Sequence, residues 1–327
     1  MKQLLKNREA QLGCVVLSLL VLIGVIVPDF LSASNLFSVY NDTSILIILA
    51  LGQMLVIITR CIDLSIAANV ALTGMVLATI NNLYPGFPVP LLIVLGAGIG
   101  TLLGMFNGFL VWKMQIPAIV VTLGTMSIYR GAVFLISKGA WINAHQMSET
   151  FLSIPRFELL GLPLLGWSSI IAVVAMYYFT KHRQLGRKIY AAGNSPTAAY
   201  YIGVDVGKKQ FIAFTISGLM AGIASYLWIS RYAVAYVDIA NGFELQVIAA
   251  CVIGGVSIAG GCGTVLGCLL GALFLGVINN ALPVIGISPF WQMAISGSVI
   301  IIAVIVNSRS ERKPGRIILR KAVQDAS

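Results

Sequence analysis

Four ionisable side chains stand in otherwise apolar stretches: Arg60 and Asp63 in TRCIDLSIAANVALTG, Arg130 in TLGTMSIYRGAVFL, and Glu244 in NGFELQVIAACVIGGVSIAGGCGT. Charges in such surroundings are costly to hold, so each is a functional candidate by default, and the chemistry they suggest is the handling of an ion or polar solute along a lined path. Asn107 and Gln246 join Asp63, Arg130 and Glu244 as candidate pathway or gating residues. Arg60 and Asp63 would be neighbours on one helical turn, either as an interfacial ion pair that fixes the turn or as part of a path. Glu244 opens an apolar run, where it either compensates a helix N-terminus or faces a path. Arg130 either snorkels toward headgroups or lines a path. Scattered charges of this kind make a poor proton relay, which needs a chain of carboxylates or histidines.

Catalytic signatures are missing from the sequence: it holds no HExxH, no GxSxG and no Walker A motif. GAGIG at 96–100 mimics part of a dinucleotide fingerprint but lies inside an apolar run, and GKK at 207–209 lacks both the upstream glycine spacing and the following Ser or Thr. The chain is expected to be no enzyme, to hydrolyse no nucleotide and to bind no cofactor of its own. The five cysteines (Cys14, Cys61, Cys251, Cys262, Cys268) lie in or beside apolar runs without a CxxC and read as small buried hydrophobes. His145 and His182 sit in polar loops far from any cysteine, which suggests no metal site.

The elements that must position these residues follow from composition. At 58% hydrophobic and 10% charged, with mean hydropathy +0.95, most of the chain has lipid rather than water as its solvent. Apolar runs near 11–27, 43–60, 64–83, 90–112, 116–137, 163–180, 210–230, 244–259, 264–283 and 290–306 predict an all-α polytopic membrane protein of about ten crossings, one transmembrane domain over 1–327. Lys2, Lys6 and Arg8 before Leu12 to Val27 resemble a signal peptide, but the run is long for a signal core, so an uncleaved first helix is expected. The net charge of +10 is topology rather than a nucleic-acid patch: with a cytoplasmic N-terminus, all of the 21 Lys and Arg except Arg130, Lys138, Arg156 and Arg231 fall on the inward side. Both tails, about 1–10 and 307–327, and the loop 181–209 are then cytoplasmic, while 138–162 forms a semi-polar surface cap on the outer side.

Glycines recur every fourth residue at Gly96, Gly100, Gly104 and Gly108 and again at Gly263, Gly267 and Gly271, each stripe followed by a proline, Pro117 or Pro283. Stripes of this kind let helix backbones approach closely in lipid. Their matching places in the fourth and ninth crossings suggest two five-helix pseudo-repeats, a habit of transporters.

One short stretch in the cytoplasmic loop, GNSPTAAYYIGVDVGKK at 193–209, is a complete small helix by its signals: Ser195 as N-cap, Pro196 at the first helical position, Gly203 as the left-handed stop. A helix this short is marginal in water and needs a partner to hold it. Ala198, Tyr201 and Ile202 are spaced to form one apolar face, which suits either a protein groove or the membrane surface.

Together, IDLSIAA at 62–68, IPAIVVTLGTMSIYRG at 116–131, GRKIYAAGNSPTAAYYIGV at 186–204 and FELQVIAACVIGGVSIAGGCGTVLG at 243–267 resemble the permease subunits of bacterial ribose-, xylose-, arabinose- and autoinducer-2-type ATP-binding-cassette importers. The family usually has glycines before Ile-Asp-Leu-Ser, whereas Arg60 and Cys61 stand here, as in the rhamnose and autoinducer-2 branches. The resemblance implies a permease of the bacterial inner membrane that passes a small sugar or sugar-like solute. Its implied partners are a second permease subunit (identical or not), a cytoplasmic ATPase that binds the ATP, a periplasmic solute-binding protein, and membrane lipid. It also implies that Gly193, Asn194, Ser195, Pro196, Ala198, Ala199, Tyr201, Ile202 and Gly203 form the helix that couples to the ATPase. The alternatives are an ion-coupled secondary transporter, which would need a cluster of acids at mid-depth, and an intramembrane enzyme, which would need a nucleophile with a base or a metal triad.

Overall fold

The computed structural model describes residues 8–288 together with 291, 294, 295, 297, 298 and 301. Its helices are α1 (Arg8–Ile26), α2 (Ala33–Ile58), α3 (Ile66–Leu83), α4 (Val89–Trp112), α5 (Ala118–Ser137), α6 (Glu149–Ser153), α7 (Leu164–His182), α8 (Gln184–Asn194), α9 (Pro196–Tyr201), α10 (Val206–Tyr232), α11 (Phe243–Ile253) and α12 (Val265–Val284). Four two-residue strands, β1 (Ile142–Asn143), β2 (Glu158–Leu159), β3 (Leu162–Pro163) and β4 (Val234–Ala235), form two antiparallel pairs, β1 with β4 and β2 with β3. Among the described residues, eight helices are long and apolar enough to cross a membrane. The all-α, multi-pass reading therefore holds. The tenth apolar run, 290–306, and the tail 307–327 lie largely or wholly outside the described residues.

The eighth run departs from expectation. Only Phe243–Ile253 is helical, 11 residues, or about 16 Å of rise against an apolar membrane core of about 30 Å. Gly254 ends this helix, and Gly255, Gly260 and Gly261 take positive φ, so the chain continues to Thr264 as irregular backbone. Irregular backbone at membrane depth survives only where protein covers it. Here Val256 and Ser257 are buried, and the Gly261 N–H donates to the Ile58 carbonyl at 2.9 Å.

α2 is the axis of the molecule, with every residue from Thr43 to Ile58 buried. It begins ten residues before its apolar run, capped by the Ser32 hydroxyl on the Asn35 N–H, because tertiary partners absorb the polar start: Asp42 pairs with Arg231 of α10. α2 and α10 run antiparallel, since Gln210 at the start of α10 donates to the Thr59 carbonyl while Arg231 at its end meets Asp42.

Part of the packing between helices repeats along the chain. Exchanging each crossing with the one five later turns the α4–α10 contact into α12–α2, α3–α10 into α11–α2, and α3–α4 into α11–α12, and all of these pairs touch. The central pair, α2 and α10, maps onto itself in reverse direction, as an inverted repeat requires. The two glycine stripes do different work, however. Gly100, Gly104 and Gly108 of α4 press on the backbone of α10 at Gly222 and Gly218, Phe214, and Phe211, where any Cβ would collide, and Gly96 lies close to Gly222 and to the Leu77 side chain. Gly267 and Gly271 of α12 instead receive the backbone of Gly254 and Ala250, within the short-helix pair, and Gly263 precedes α12 altogether.

The segment 138–162 caps one end of the bundle. Phe151 of α6 is buried edge-on against Tyr226 at 5.0 Å, and its carbonyl accepts from the Tyr226 and Ser230 hydroxyls. The cysteines form no disulfide among themselves: Cys61, Cys251 and Cys268 are buried as expected, but Cys14 and Cys262 are exposed.

Candidate coupling and translocation sites

Gly193 to Gly203 fold as the sequence signals dictate. The Ser195 hydroxyl accepts from the Ala198 N–H at 3.4 Å, Pro196 takes the first helical position, and Gly203 stops the helix at φ +76°. α9 is preceded by a longer helix that the cap signals did not reveal, α8, which buries Gly186, Ile189, Ala192 and Gly193. A small apolar cluster of Ala192, Ala199 and Val204 folds α9 back on α8. Ala199 therefore points inward at 2% exposure, whereas Ala198 is exposed, and Tyr200, Tyr201 and Ile202 stand 73–82% exposed at the tip. Sequence reasoning named Tyr201 and Ile202 but missed Tyr200, the third member of this apolar tip.

Three segments meet behind that tip. Arg60, in the left-handed region at φ 66°, sends its guanidinium to the last carbonyls of α8, Nε to Gly193 O at 2.6 Å and an Nη to Asn194 O at 3.0 Å. A cation is favourable there because the helix C-terminus carries partial negative charge and unpaired carbonyls. Gly193 lies so close to the Ile58 carbonyl that no Cβ fits, and Gly261 is likewise pressed on the Asn194 backbone. The Tyr190 hydroxyl donates to the Gly263 carbonyl at 2.9 Å, and burial pushes its pKa up to about 12, so it remains a donor at neutral pH. α8 is thus locked at once to the end of α2 and to the α11–α12 loop.

Arg60 is spoken for by α8, so the expected ion pair with Asp63 is not made. Both residues lie in the turn between α2 and α3 rather than on a helix, and their side chains diverge. Asp63, 3% exposed, instead accepts from the Ser65 N–H (3.0 Å) and hydroxyl (2.7 Å), and from the Ser217 hydroxyl at 3.5 Å. The Ser65 hydroxyl in turn accepts from Asn107 Nδ2 at 2.8 Å, while Asn107 Oδ1 is buried without a partner among the described residues. Asp63 and Asn107 are brought together as one polar cluster of α3, α4 and α10. Beside it, a cavity of about 610 Å³ lies between the α2–α3 turn, the α4–α5 connection and the start of α10, lined by Arg60, Ile62, Trp112, Gln115 and Gln210.

Arg130, Glu244 and Gln246 lie at the opposite end. Arg130 donates to the Val237 and Ile239 carbonyls at 3.2 and 2.6 Å, which ties α5 to the loop before α11. These two bonds anchor the guanidinium on that loop. Glu244 stands in the first turn of α11, where its charge offsets the helix N-terminus, and Gln246 Oε1 accepts from Asn279 Nδ2 of α12 at 3.3 Å. The nine candidate coupling residues and the five candidate pathway residues thus divide into three places: the α8–α9 tip, the Asp63–Asn107 cluster, and the region of α5 and the start of α11 at the opposite end.

Residues 35–304 match the family model described as branched-chain amino acid transport system / permease component. Among curated proteins the chain is similar to "Autoinducer 2 import system permease protein LsrC" from Enterobacter sp. (strain 638), 37% identical over 94% of this chain and 89% of the relative. The proteins of the same name from Shigella flexneri and Photorhabdus luminescens are 36% and 35% identical over 94% of this chain, covering 89% and 92% of their own lengths. No solved structure matches.

Proposed function

Because the chain belongs to the family of branched-chain amino acid transport system permease components, we propose that it is the membrane subunit of a bacterial ATP-binding-cassette importer that passes a small sugar or sugar-like solute. The relatives' printed name, an autoinducer 2 import permease, supports a solute of that size and polarity. The observation that carries the reading is mechanical. An exposed apolar tip, Tyr200, Tyr201 and Ile202, sits on a helix pair whose base is fastened by Arg60 to the end of α2 and by Tyr190 to the α11–α12 loop. A groove in a cytoplasmic ATPase that seats this tip and moves would carry α8 with it, and α8 would carry the turn that presents Asp63 and the neighbouring cavity.

In this assembly the chain holds no nucleotide; ATP belongs to the ATPase. A second permease subunit completes the pore, a periplasmic binding protein delivers the solute, and the whole resides in the inner membrane with 181–209 and both tails inward. That orientation predicts that a cysteine at position 195, in a background without native cysteines, will not react with an impermeant maleimide applied to intact cells and will react after permeabilisation. Labelling from outside would reverse the orientation.

The energy source is the decisive test. Proteoliposomes holding this permease alone should not concentrate sugar under any imposed proton or sodium gradient. Uptake should require the ATPase, ATP, the binding protein and any second permease, and should survive collapse of ion gradients. Gradient-driven accumulation by the purified chain without nucleotide would falsify the proposal in favour of a secondary transporter.

A further inference from the structure

At the end of the bundle that carries α8, a cavity of about 320 Å³ opens between the first turn of α1, the last turn of α7, α8 and the start of α12. Two of its lining residues carry charge, of opposite sign. Glu9 of α1 accepts from the Thr264 hydroxyl at 2.6 Å, and Lys181 of α7 donates from Nζ to the Tyr177 hydroxyl at 2.8 Å. A carboxylate has about four acceptor positions and an ammonium three donors, so each can take more than one partner.

Lys181 also heads an apolar stripe. Ile171, Val174 and Tyr177 precede it on α7 at spacings of three or four residues, which places them on one face. Ile171 and Val174 are 65% and 62% exposed, and across the cavity Leu266 of α12 is 44% exposed. α7 is long and apolar enough to cross a membrane. Its exposed stripe therefore faces acyl chains, and the cavity lies where headgroups begin, at the depth where tyrosines are enriched.

We propose that this cavity holds the headgroup of one phosphatidylethanolamine molecule, with its phosphate on Lys181, its ammonium on Glu9 and its acyl chains along the α7 stripe. The site goes beyond the importer reading and does not depend on it; only the leaflet, the inner one, follows from the orientation proposed above. At ~30 Å³ per liquid water, the cavity has the volume of roughly ten waters, room for a phosphoethanolamine group but not for the chains. The paired charges select among lipids. Phosphatidylglycerol brings the phosphate but no cation for Glu9, whose carboxylate repels an added anion. Phosphatidylcholine brings both charges, yet its quaternary nitrogen has no N–H to donate. Tyr190 of α8 lines the same cavity while its hydroxyl donates to the Gly263 carbonyl, so a seated headgroup braces the junction of α8 with the α11–α12 loop from the membrane side.

Diffuse attraction predicts a different preference. Arg183, Arg187 and Lys188 lie close in sequence but outside the lining, Arg183 over the Tyr178 ring at 5.2 Å, and a basic loop of this kind draws anionic lipid in general. The test is native mass spectrometry of the full-length permease in detergent, titrated with phosphatidylethanolamine, phosphatidylglycerol or phosphatidylcholine of identical chains. One phosphatidylethanolamine should bind at least fivefold more tightly than either other lipid. Glu9→Gln, which keeps an acceptor for Thr264, should bring phosphatidylethanolamine and phosphatidylglycerol within about twofold of each other. Lys181→Met should weaken both at least fivefold, whereas Arg183→Met should leave the preference in place. Leu266→Trp fills the cavity without touching its charges and should abolish the preference even if a charge variant fails to fold. Wild-type preference for phosphatidylglycerol, or equal binding of all three lipids, would overturn the proposal in favour of diffuse attraction. A preference that persists in Leu266→Trp would remove the lipid from this cavity. Displacement of the lipid by glycerophosphoethanolamine, the headgroup without chains, would make this a site for a soluble phosphoester instead.

Discussion

Glutamate at Ala198 or Tyr201 should abolish association with the ATPase, by at least a hundredfold or about 2.8 kcal/mol, while the permease still inserts and keeps its thermal stability. Both side chains are exposed on the α9 tip, Tyr201 at 82%, so a charge there costs nothing in the isolated chain. Once the tip seats in an apolar groove, the same charge is desolvated without a partner, a penalty of several kcal/mol. Ala199→Glu must behave differently, because Ala199 is buried against Ala192 and Val204. That variant should unravel α9 and lower the stability of the chain on its own. Copurification of the ATPase with detergent-solubilised permease separates the two outcomes. Undiminished pull-down with Ala198→Glu and Tyr201→Glu would remove the docking role from this tip.

The contrast between Ala198 and Ala199 shows where sequence reading stops. Cap signals are local, so Ser195, Pro196 and Gly203 were legible, whereas spacing picked out Ala198, Tyr201 and Ile202 without Tyr200, which stands exposed beside them. Which face turns inward is decided by α8, whose Ile189 packs into the bundle core while its Ala192 receives Ala199 and Val204, and whose boundaries carry no strong cap. Long apolar runs were legible for the same local reason, because about twenty apolar residues in lipid leave the backbone few alternatives to a helix. The short α11 was not, since Gly254 and Gly255 read equally as packing residues of a continuous helix, and only the cover given by Ile58 and α8 lets the chain break there. The Arg60–Asp63 pairing failed through the same kind of ambiguity. Three residues apart puts two side chains together on a helix, but here the pair falls in a turn with Arg60 at positive φ, and one guanidinium finds the carbonyls of a helix 133 positions away.

That long-range contact makes Arg60 the most informative single position for coupling. A non-glycine residue in the left-handed region is held there at some cost, of order 1 kcal/mol or more. Arg60→Gly removes this strain while deleting two hydrogen bonds from a charged donor, each worth about 1.5–3 kcal/mol. The turn itself is kept by the backbone bonds of Arg60 N to Ile57 O and Cys61 N to Val56 O, which glycine preserves. Arg60→Gly should therefore fold, reach the membrane and bind the ATPase through an unaltered α9 tip. Its defect should lie in transmission, with solute carried per ATP hydrolysed falling about tenfold because α8 can now shift without moving the end of α2. Arg60→Lys should recover part of that ratio, since an ammonium can reach one of the two carbonyls but cannot span both. Uptake and ATP hydrolysis measured on the same proteoliposomes give the ratio directly. If Arg60→Gly transports with the wild-type ratio, the guanidinium only trims the end of α8, and force must pass through the Gly193–Ile58 and Gly261–Asn194 contacts alone.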